Sequence, residues 1–344
     1  MEAKFLLSKK IINNQVKILE DLGLKISYSY KTNREVGKIL QEISDVGFSI
    51  HAKEEIEMIK DKGKIWFFTQ AELEEELEDI LNKGIRNFVV DNEIDLQRIL
   101  EIIKKIQIKI NLSLRMKFQE HRIGTGKYFV YGLGSKKINE IIQEIKSNKF
   151  IDKLGVHIHR KSQNTSEWEI KQELEDSLTR DSLERLDIIN LGGGLPSKYR
   201  GYTVNIMDYI SEKLKDVKRW LDRFNIKTFI EPGRFIAAPA IKLEAEIIQI
   251  QGKNIIINTT IYNCCLDSIL TGTKMFVEGE LSEEAEGNDY LIKGNSPTRD
   301  DIFRYKVRLK NLKVGDRITF LNAGAYNYTT DFFGYKKLST IIVN

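Results

Sequence analysis

Ile26-Ser27-Tyr28-Ser29-Tyr30 reads as a β-strand by its two-residue alternation, and Lys31, one residue beyond it, projects its amine from the strand's C-terminal end. Working outward, seven further short apolar runs follow at 47–50, 65–68, 87–90, 108–114, 154–158, 186–191 and 228–231. Between most of them, apolar residues recur at three- and four-residue spacing, which predicts helices over 33–43, 54–62, 71–82, 95–105, 136–147, 167–178 and 206–224. Eight such alternations predict an α/β fold of the (β/α)8 barrel type. A doubly wound open sheet competes with it, but no G-x-G-x-x-G loop follows the first strand.

After Pro239 the pattern turns β-rich, with runs at 241–249, 254–257, 289–292, 316–321 and 337–343, so a smaller C-terminal β domain is expected. Residues 11–22 carry a helical pattern that packs either below the barrel or on the β domain. The expected division is therefore an N-terminal helical segment over 1–25, the barrel over 26–238 and the β domain over 239–344. No repeat or low-complexity tract interrupts it, and Pro196, Pro232, Pro239 and Pro297 all fall at loops or element ends, as the missing N–H requires.

The 344 residues are 41% hydrophobic, enough for a large core. Fifty-four basic residues against 50 acidic ones leave a charge of +4, and the two signs interleave along the helices, so nucleic acid is not an expected partner. Cys264 and Cys265 are neighbours, an arrangement that rarely makes a structural disulfide, which fits a reducing cytoplasm. No run approaches the ~20 apolar residues of a membrane span, so a soluble, untargeted protein is expected.

Three more chemistry-bearing stretches fall at strand ends, as Lys31 does: His157-Ile158-His159, Leu191-Gly192-Gly193-Gly194 and Glu231-Pro232-Gly233-Arg234. Barrel enzymes keep their chemistry at that face, with phosphate sites on the loops after strands seven and eight. The Gly192-Gly193-Gly194 triplet lets backbone N–H groups approach an anion, and Arg234 has the forked donors that grip a phosphate in two places. A lysine facing a phosphate site, with a carboxylate at the end of strand eight, points to pyridoxal 5′-phosphate held as a Schiff base. Lys31 is the amine that forms it, activated by partial burial and cationic surroundings. Glu231 keeps the ring nitrogen protonated, and His159 offers a flat face to the ring. Taken singly, each residue has a plainer reading as a surface amine, a glutamate paired with a structural arginine or a core imidazole. Their joint arrival at one barrel mouth decides for the site.

The same residues carry a family resemblance. Ser29-Tyr30-Lys31-Thr32-Asn33 resembles Y-A-x-K-x-N, and Phe48-Ser49-Ile50-His51-Ala52-Lys53-Glu54-Glu55 resembles F-D-x-A-S-x-x-E. The stretch from Gly155 to Gln163 is similar to G-L-H-x-H-I-G-S-Q, Leu191 to Pro196 resembles L-G-G-G-F-P, and Glu231 to Arg234 is identical to E-P-G-R. Near the end, Gly324-Ala325-Tyr326 resembles G-A-Y, and Phe332-Phe333-Gly334-Tyr335 resembles F-N-G-F. These are motifs of the fold-type III pyridoxal-phosphate decarboxylases, the group of ornithine, arginine, diaminopimelate and carboxynorspermidine decarboxylases. The resemblance runs from about Ile26 to the C-terminus.

It implies an alanine racemase-like pairing of barrel and β domain, with Arg115 after strand five in the cofactor site, Ser162 and Tyr326 on the phosphate, and Gly233 in the E-P-G-R turn. It also implies a head-to-tail homodimer with shared active sites, each borrowing the partner's loop Ser296-Pro297-Thr298-Arg299-Asp300-Asp301, which resembles G-P-T-C-D-S.

The chain departs from the family at several of these positions. Arg299 stands where the family has the cysteine that protonates the carbanion, and a guanidinium is a poor acid. Asp300 keeps the acidic position that meets a distal substrate amine. Ser49 replaces an aspartate, Lys161 a glycine, and Asn258-Thr259-Thr260 a segment that usually carries an aspartate. A retained cofactor site with a remodelled substrate pocket is expected, for a basic or diamino acid, or a derivative carrying an additional anionic group.

The alternatives within the fold are a racemase and a non-catalytic pyridoxal-phosphate carrier. A racemase needs a lysine and tyrosine pair, whereas Tyr326 matches a phosphate contact; carriers resemble the barrel alone, whereas about 105 residues follow Pro239 here. Cys264 and Cys265 read as buried thiols, with replacement of the lost acid as the other option. No basic stripe or amphipathic anchor speaks for a nucleic-acid or membrane partner.

Overall fold

The computed structural model describes residues 1–118, 131–201, 205–327 and 329–344. Strand β1 (Lys4–Ser8) and helix α1 (Lys9–Glu20) come first. Eight parallel strands then close a barrel in chain order: β2 (Lys25–Ser29), β3 (Gly47–Ile50), β4 (Ile65–Phe68), β5 (Asn87–Val90), β6 (Ile110–Met116), β7 (Ile151–Ile158), β8 (Ile188–Asn190) and β9 (Lys227–Ile230). The ring closes where β9 pairs with β2 through Phe229 opposite Lys25 and Ile230 opposite Ile26. Every expected barrel strand is present within three residues of its expected bounds. β4 (Ile-Trp-Phe-Phe) and β5 (Asn-Phe-Val-Val) are buried at every position, the run expected where a parallel sheet is covered on both faces.

The outer layer is α2 (Arg34–Ile43), α3 (Glu74–Asn82), α4 (Glu93–Ile106), α5 (Ser135–Ile145), α6 (Ile170–Ser177), α7 (Arg180–Leu183) and α8 (Met207–Asp222). The helix expected over 54–62 is instead two 3-10 turns, Lys53–Met58 and Lys62–Lys64. Side chains take over its backbone groups: Gln41 bonds Met58 O and Lys60 N at 3.0 and 2.8 Å, and Lys62 Nζ bonds Ile59 O at 2.8 Å.

Helix α9 (Arg234–Ala240) runs without a linker into the long strand β10 (Ile241–Gln251). There follow β11 (Asn254–Ile257), α10 (Ile261–Cys264), α11 (Leu266–Thr271), β12 (Asn288–Lys293), β13 (Ile302–Leu309), β14 (Arg317–Phe320) and β15 (Ser339–Val343). The sheet order is β13-β12-β11-β10-β1-β15, with β14 on the other side of β10.

Two of its strands were not expected. β13 alternates apolar residues with Arg304, Lys306 and Arg308, and Arg304 turns inward because its fork is satisfied by Glu280 at 2.8 and 2.6 Å. β1 corrects the reading of 1–25 as purely helical. Its five residues are too few to show a period on their own, yet Phe5 and Leu7 are buried between β10 and β15. Helix α1 meanwhile packs on α9 and β2, with Gln15 Nε2 donating to Phe235 O at 2.7 Å, so the N-terminal segment serves barrel and sheet together.

Candidate active site

Glu231 follows β9 and lines a cavity of about 360 Å³ at the C-terminal ends of the barrel strands, a size that suits a small molecule. Although buried, both carboxylate oxygens are met. Oε1 accepts from Ser49 Oγ at 2.6 Å and from Asn190 Nδ2 at 3.0 Å, and Oε2 accepts from His157 Nε2 at 3.0 Å. Ser49 spends its proton on the carboxylate, so Ser27 Oγ, 2.7 Å away, donates to Ser49 in turn. Burial pushes this carboxyl up, but His157, Ser49 and the nearby His159 outweigh it and hold it at about 2. Sequence reasoning named Glu231 and singled out Ser49 and His157, but not as its holders, and it passed over Asn190. Their signal was a lone polar residue at the buried end of each strand: Ser49 in β3, His157 in the buried stretch Leu154–Ile158 of β7, and Asn190 in β8.

His159, two residues beyond His157, faces the same cavity. Its Nδ1 accepts the Gly193 N–H at 3.2 Å, which leaves the ring proton on Nε2. Burial, then His157 and Arg115, lower its pKa to about 3, so it is a neutral, flat ring. Arg115, at the end of β6, also lines the cavity and lies over the Tyr131 ring at 5.2 Å. Burial lowers its guanidinium from the ordinary value.

Lys31 sits on a single 3-10 turn, Tyr30–Thr32, directly after β2. Asn33 ends that turn and caps α2, its Oδ1 accepting from Glu35 N and Val36 N at 3.0 and 3.2 Å, while its Nδ2 donates to Gly324 O at 2.8 Å. Tyr326 N donates to Thr32 O at 2.9 Å. Gly233 is needed here because a Cβ would lie 2.2 Å from Thr32 Oγ1. Barrel and β domain thus clamp the lysine turn between them. Lys31 itself is exposed toward the cavity rather than partly buried as expected. Its Nζ lies 3.4 Å from Nε2 of His51, a residue that sequence reasoning passed over.

At the expected phosphate end, Gly193, Gly194, Ser162 and Tyr326 all line the cavity. Gly192 does not; it makes the turn, with φ of +69° and so little room that a Cβ would meet Ile158 O at 2.2 Å. Arg234 also lines the cavity, and its fork is engaged by protein groups. Its Nη1 and Nη2 donate to Asp267 at 2.6 and 2.8 Å, and Nη1 also to Tyr199 Oη at 3.0 Å. The ion pair is buried, and the guanidinium is sandwiched by the Tyr199 and Tyr326 rings at 5.4 and 5.2 Å. It therefore braces the cavity wall. Asp267 had no sequence signal because it lies in a part of the chain outside the motifs.

Arg299 and Asp300 are not brought to this cavity by the chain that carries them. Their side chains are 93% and 71% exposed at the tip of the β12–β13 loop, which Asp301 fixes by accepting from Ile261 N and Ser296 N at 2.8 and 3.0 Å. Cys264 and Cys265 are buried away from the cavity, with sulfurs 3.5 Å apart, and burial raises the Cys265 thiol well above its ordinary value, which argues against either as the missing acid. Among the described residues, no helix is long and apolar enough to cross a membrane.

The cavity fits pyridoxal phosphate where the structure can test it: a held, ionised carboxylate, an amine and a neutral ring share one chamber, beside a wall of glycine backbone. Comparisons with known proteins agree. Residues 8–238 match the pyridoxal-dependent decarboxylase family in its pyridoxal-binding domain. The chain is 25% identical to a diaminopimelate decarboxylase of Pseudomonas fluorescens, over 90% of this chain and 78% of that one. It is 22% identical to antizyme inhibitor 2 of Xenopus laevis, over 95% and 77% of the two. Among solved structures, diaminopimelate decarboxylase from Helicobacter pylori complexed with L-lysine shares the fold with a TM-score of 0.83 at 22% identity, covering 100% of this chain and 92% of that chain.

Proposed function

Because this chain belongs to the pyridoxal-dependent decarboxylases, we propose that its barrel-mouth cavity removes the carboxyl group of a basic or diamino acid, or of a modified derivative of one. The observation that carries this reading is Glu231, buried and ionised, in the same cavity as Lys31. Pyridoxal 5′-phosphate bound there supplies an electron sink for the pair left behind when carbon dioxide departs. Lys31 Nζ is the amine that would hold the cofactor covalently and give way to the substrate amine. Glu231 is the carboxylate that would keep the cofactor's ring nitrogen protonated, and Ser49, Asn190 and His157 hold that carboxylate in place. His159 presents its ring face, and Gly193, Gly194, Ser162 and Tyr326 surround the phosphate, with Arg234 as their brace.

The barrel over 26–238 carries the cofactor, and the sheet domain over 239–344, joined by β1, closes the site at Tyr326. Two chains in head-to-tail contact would bring each other's Arg299 and Asp300 to the cavities, Asp300 meeting the distal substrate amine and Arg299 an additional carboxylate. A cytoplasmic location suits the two adjacent free thiols.

The test has two stages. Purified protein given the cofactor shows the visible band of a lysine-bound pyridoxal, and Lys31→Ala abolishes it. Screening amino acids for released carbon dioxide then identifies the substrate; efficient turnover of plain ornithine or lysine would refute the remodelled pocket. Likeness to antizyme inhibitor 2, an inhibitor by name, gives a second reading, cofactor binding without turnover, which the same screen distinguishes by a band with no carbon dioxide.

A further inference from the structure

We propose that His51 is the positioning residue of Lys31: its Nε2 holds the lysine amine and exchanges a proton with Nζ when Lys31 makes or breaks its bond to the cofactor aldehyde. This rests on the reading of Lys31 as the anchoring amine.

His51 lines the same cavity as Lys31, just past the end of β3, with Nε2 at 3.4 Å from Nζ. The ring is fixed by an apolar contact, stacked on Phe68 with centroids 4.8 Å apart and planes at 9°. Phe68 is itself braced edge-on by His157 at 5.0 Å. The His51 main chain is tied by its N–H to the buried Glu55 Oε2 at 3.4 Å. Nδ1 is buried with no hydrogen-bond partner among the described residues. Lys31 Nζ is the polar contact of Nε2. His51 stands at the alanine position of the F-D-x-A-S-x-x-E pattern that this segment resembles.

The chemistry balances without another reactant. A lysine ammonium passes one proton to Nε2, and the freed lone pair adds to the aldehyde carbon. The imidazolium gives that proton to the alkoxide oxygen, and the imidazole then takes a second proton from the newly bonded nitrogen and passes it to the hydroxyl, which leaves as water as the protonated C=N bond forms. Release by a substrate amine runs the proton back to Nζ. The ring faces Lys31 from the end of β2, Arg115 from β6, His157 from β7 and Glu231 from β9. Burial and then Lys31 keep it neutral near pH 7, so it holds a proton only in passing.

The experiment mixes cofactor-free protein with pyridoxal 5′-phosphate and follows the rate at which the lysine-bound band appears. In parallel it measures affinity for pyridoxine 5′-phosphate, which has no aldehyde. His51→Ala, and His51→Gln, which keeps an acceptor but cannot carry a proton, are expected to slow capture by about a hundredfold, with affinity for pyridoxine 5′-phosphate unchanged and part of the His51→Ala rate restored by added imidazole. Capture at the wild-type rate by either variant overturns the proposal while leaving the cofactor assignment intact. A parallel loss of pyridoxine 5′-phosphate affinity also overturns it, by showing a structural role. Failure of the wild-type protein to form the band at all refutes the cofactor assignment itself, and this proposal with it.

Discussion

A carboxylate stays ionised inside a protein only if other groups do what water did, and Glu231 has a hydroxyl, an amide and an imidazole for that purpose. The two neutral imidazoles have the opposite preference: His51 and His159 are held at about 4 and about 3 against an ordinary 6.5. Below 6.5 the unfolded chain takes up protons that the folded chain refuses, so stability falls as pH drops from 6.5 toward 4. The depressed Glu231 stabilises the fold above its ordinary 4.5 and loses that contribution as pH falls through about 2. Both act in one direction. Urea denaturation at pH 7, 5.5 and 4.5 should show decreasing stability, with a shallower slope in His51→Gln/His159→Gln; a flat profile would contradict the assigned neutral rings. The Arg234–Asp267 pair allows a second test. Asp267→Ala strands a buried guanidinium and should cost about 3–5 kcal/mol in denaturant titration, whereas Arg234→Met/Asp267→Leu should cost less than the single change.

Among the elements, β1 has the largest effect for its length, since it is hydrogen-bonded on both sides and joins the two ends of the chain. Leu7, fully buried there, should destabilise the protein by about 2–5 kcal/mol on replacement by alanine, seen as a lower midpoint of thermal unfolding. Ile18, exposed on α1, provides the control, with Ile18→Ala expected within about 0.5 kcal/mol of the parent. If Leu7→Ala proves equally mild, β1 is not held in the sheet as described. The barrel strands were legible because each is a short, mostly buried run of three to eight residues between polar helix surfaces, a pattern that depends on local composition alone. β1 and β13 were not, since one is too short and the other buries an arginine that only Glu280, some two dozen residues away in sequence, makes tolerable.

For the whole molecule, the geometry leaves the β12–β13 loop and its Arg299 and Asp300 in solvent, although the family motif places them at a cavity. The head-to-tail dimer proposed above would bring them to the partner's cavity, and that proposal has a measurable consequence. Lys31→Ala and Asp300→Ala proteins, each inactive alone, should regain about a quarter of the activity when mixed and reassorted, because half of the resulting dimers then hold one intact site. No recovery, or a chain that remains monomeric by light scattering at assay concentration, would remove the shared-site reading.

Read alone, the chain determined the barrel, its cofactor and the residues Lys31, His159 and Glu231, because alternation, glycine runs and strand-end chemistry are local properties that survive without coordinates. Only the tertiary structure decided what those residues touch. That Arg234 is committed to Asp267, that Ser49 and His157 hold Glu231, and that His51 stands beside Lys31 are contacts between residues from 20 to 182 positions apart. Such contacts arise where the barrel gathers the ends of its strands into one chamber, and no spacing along the chain encodes them.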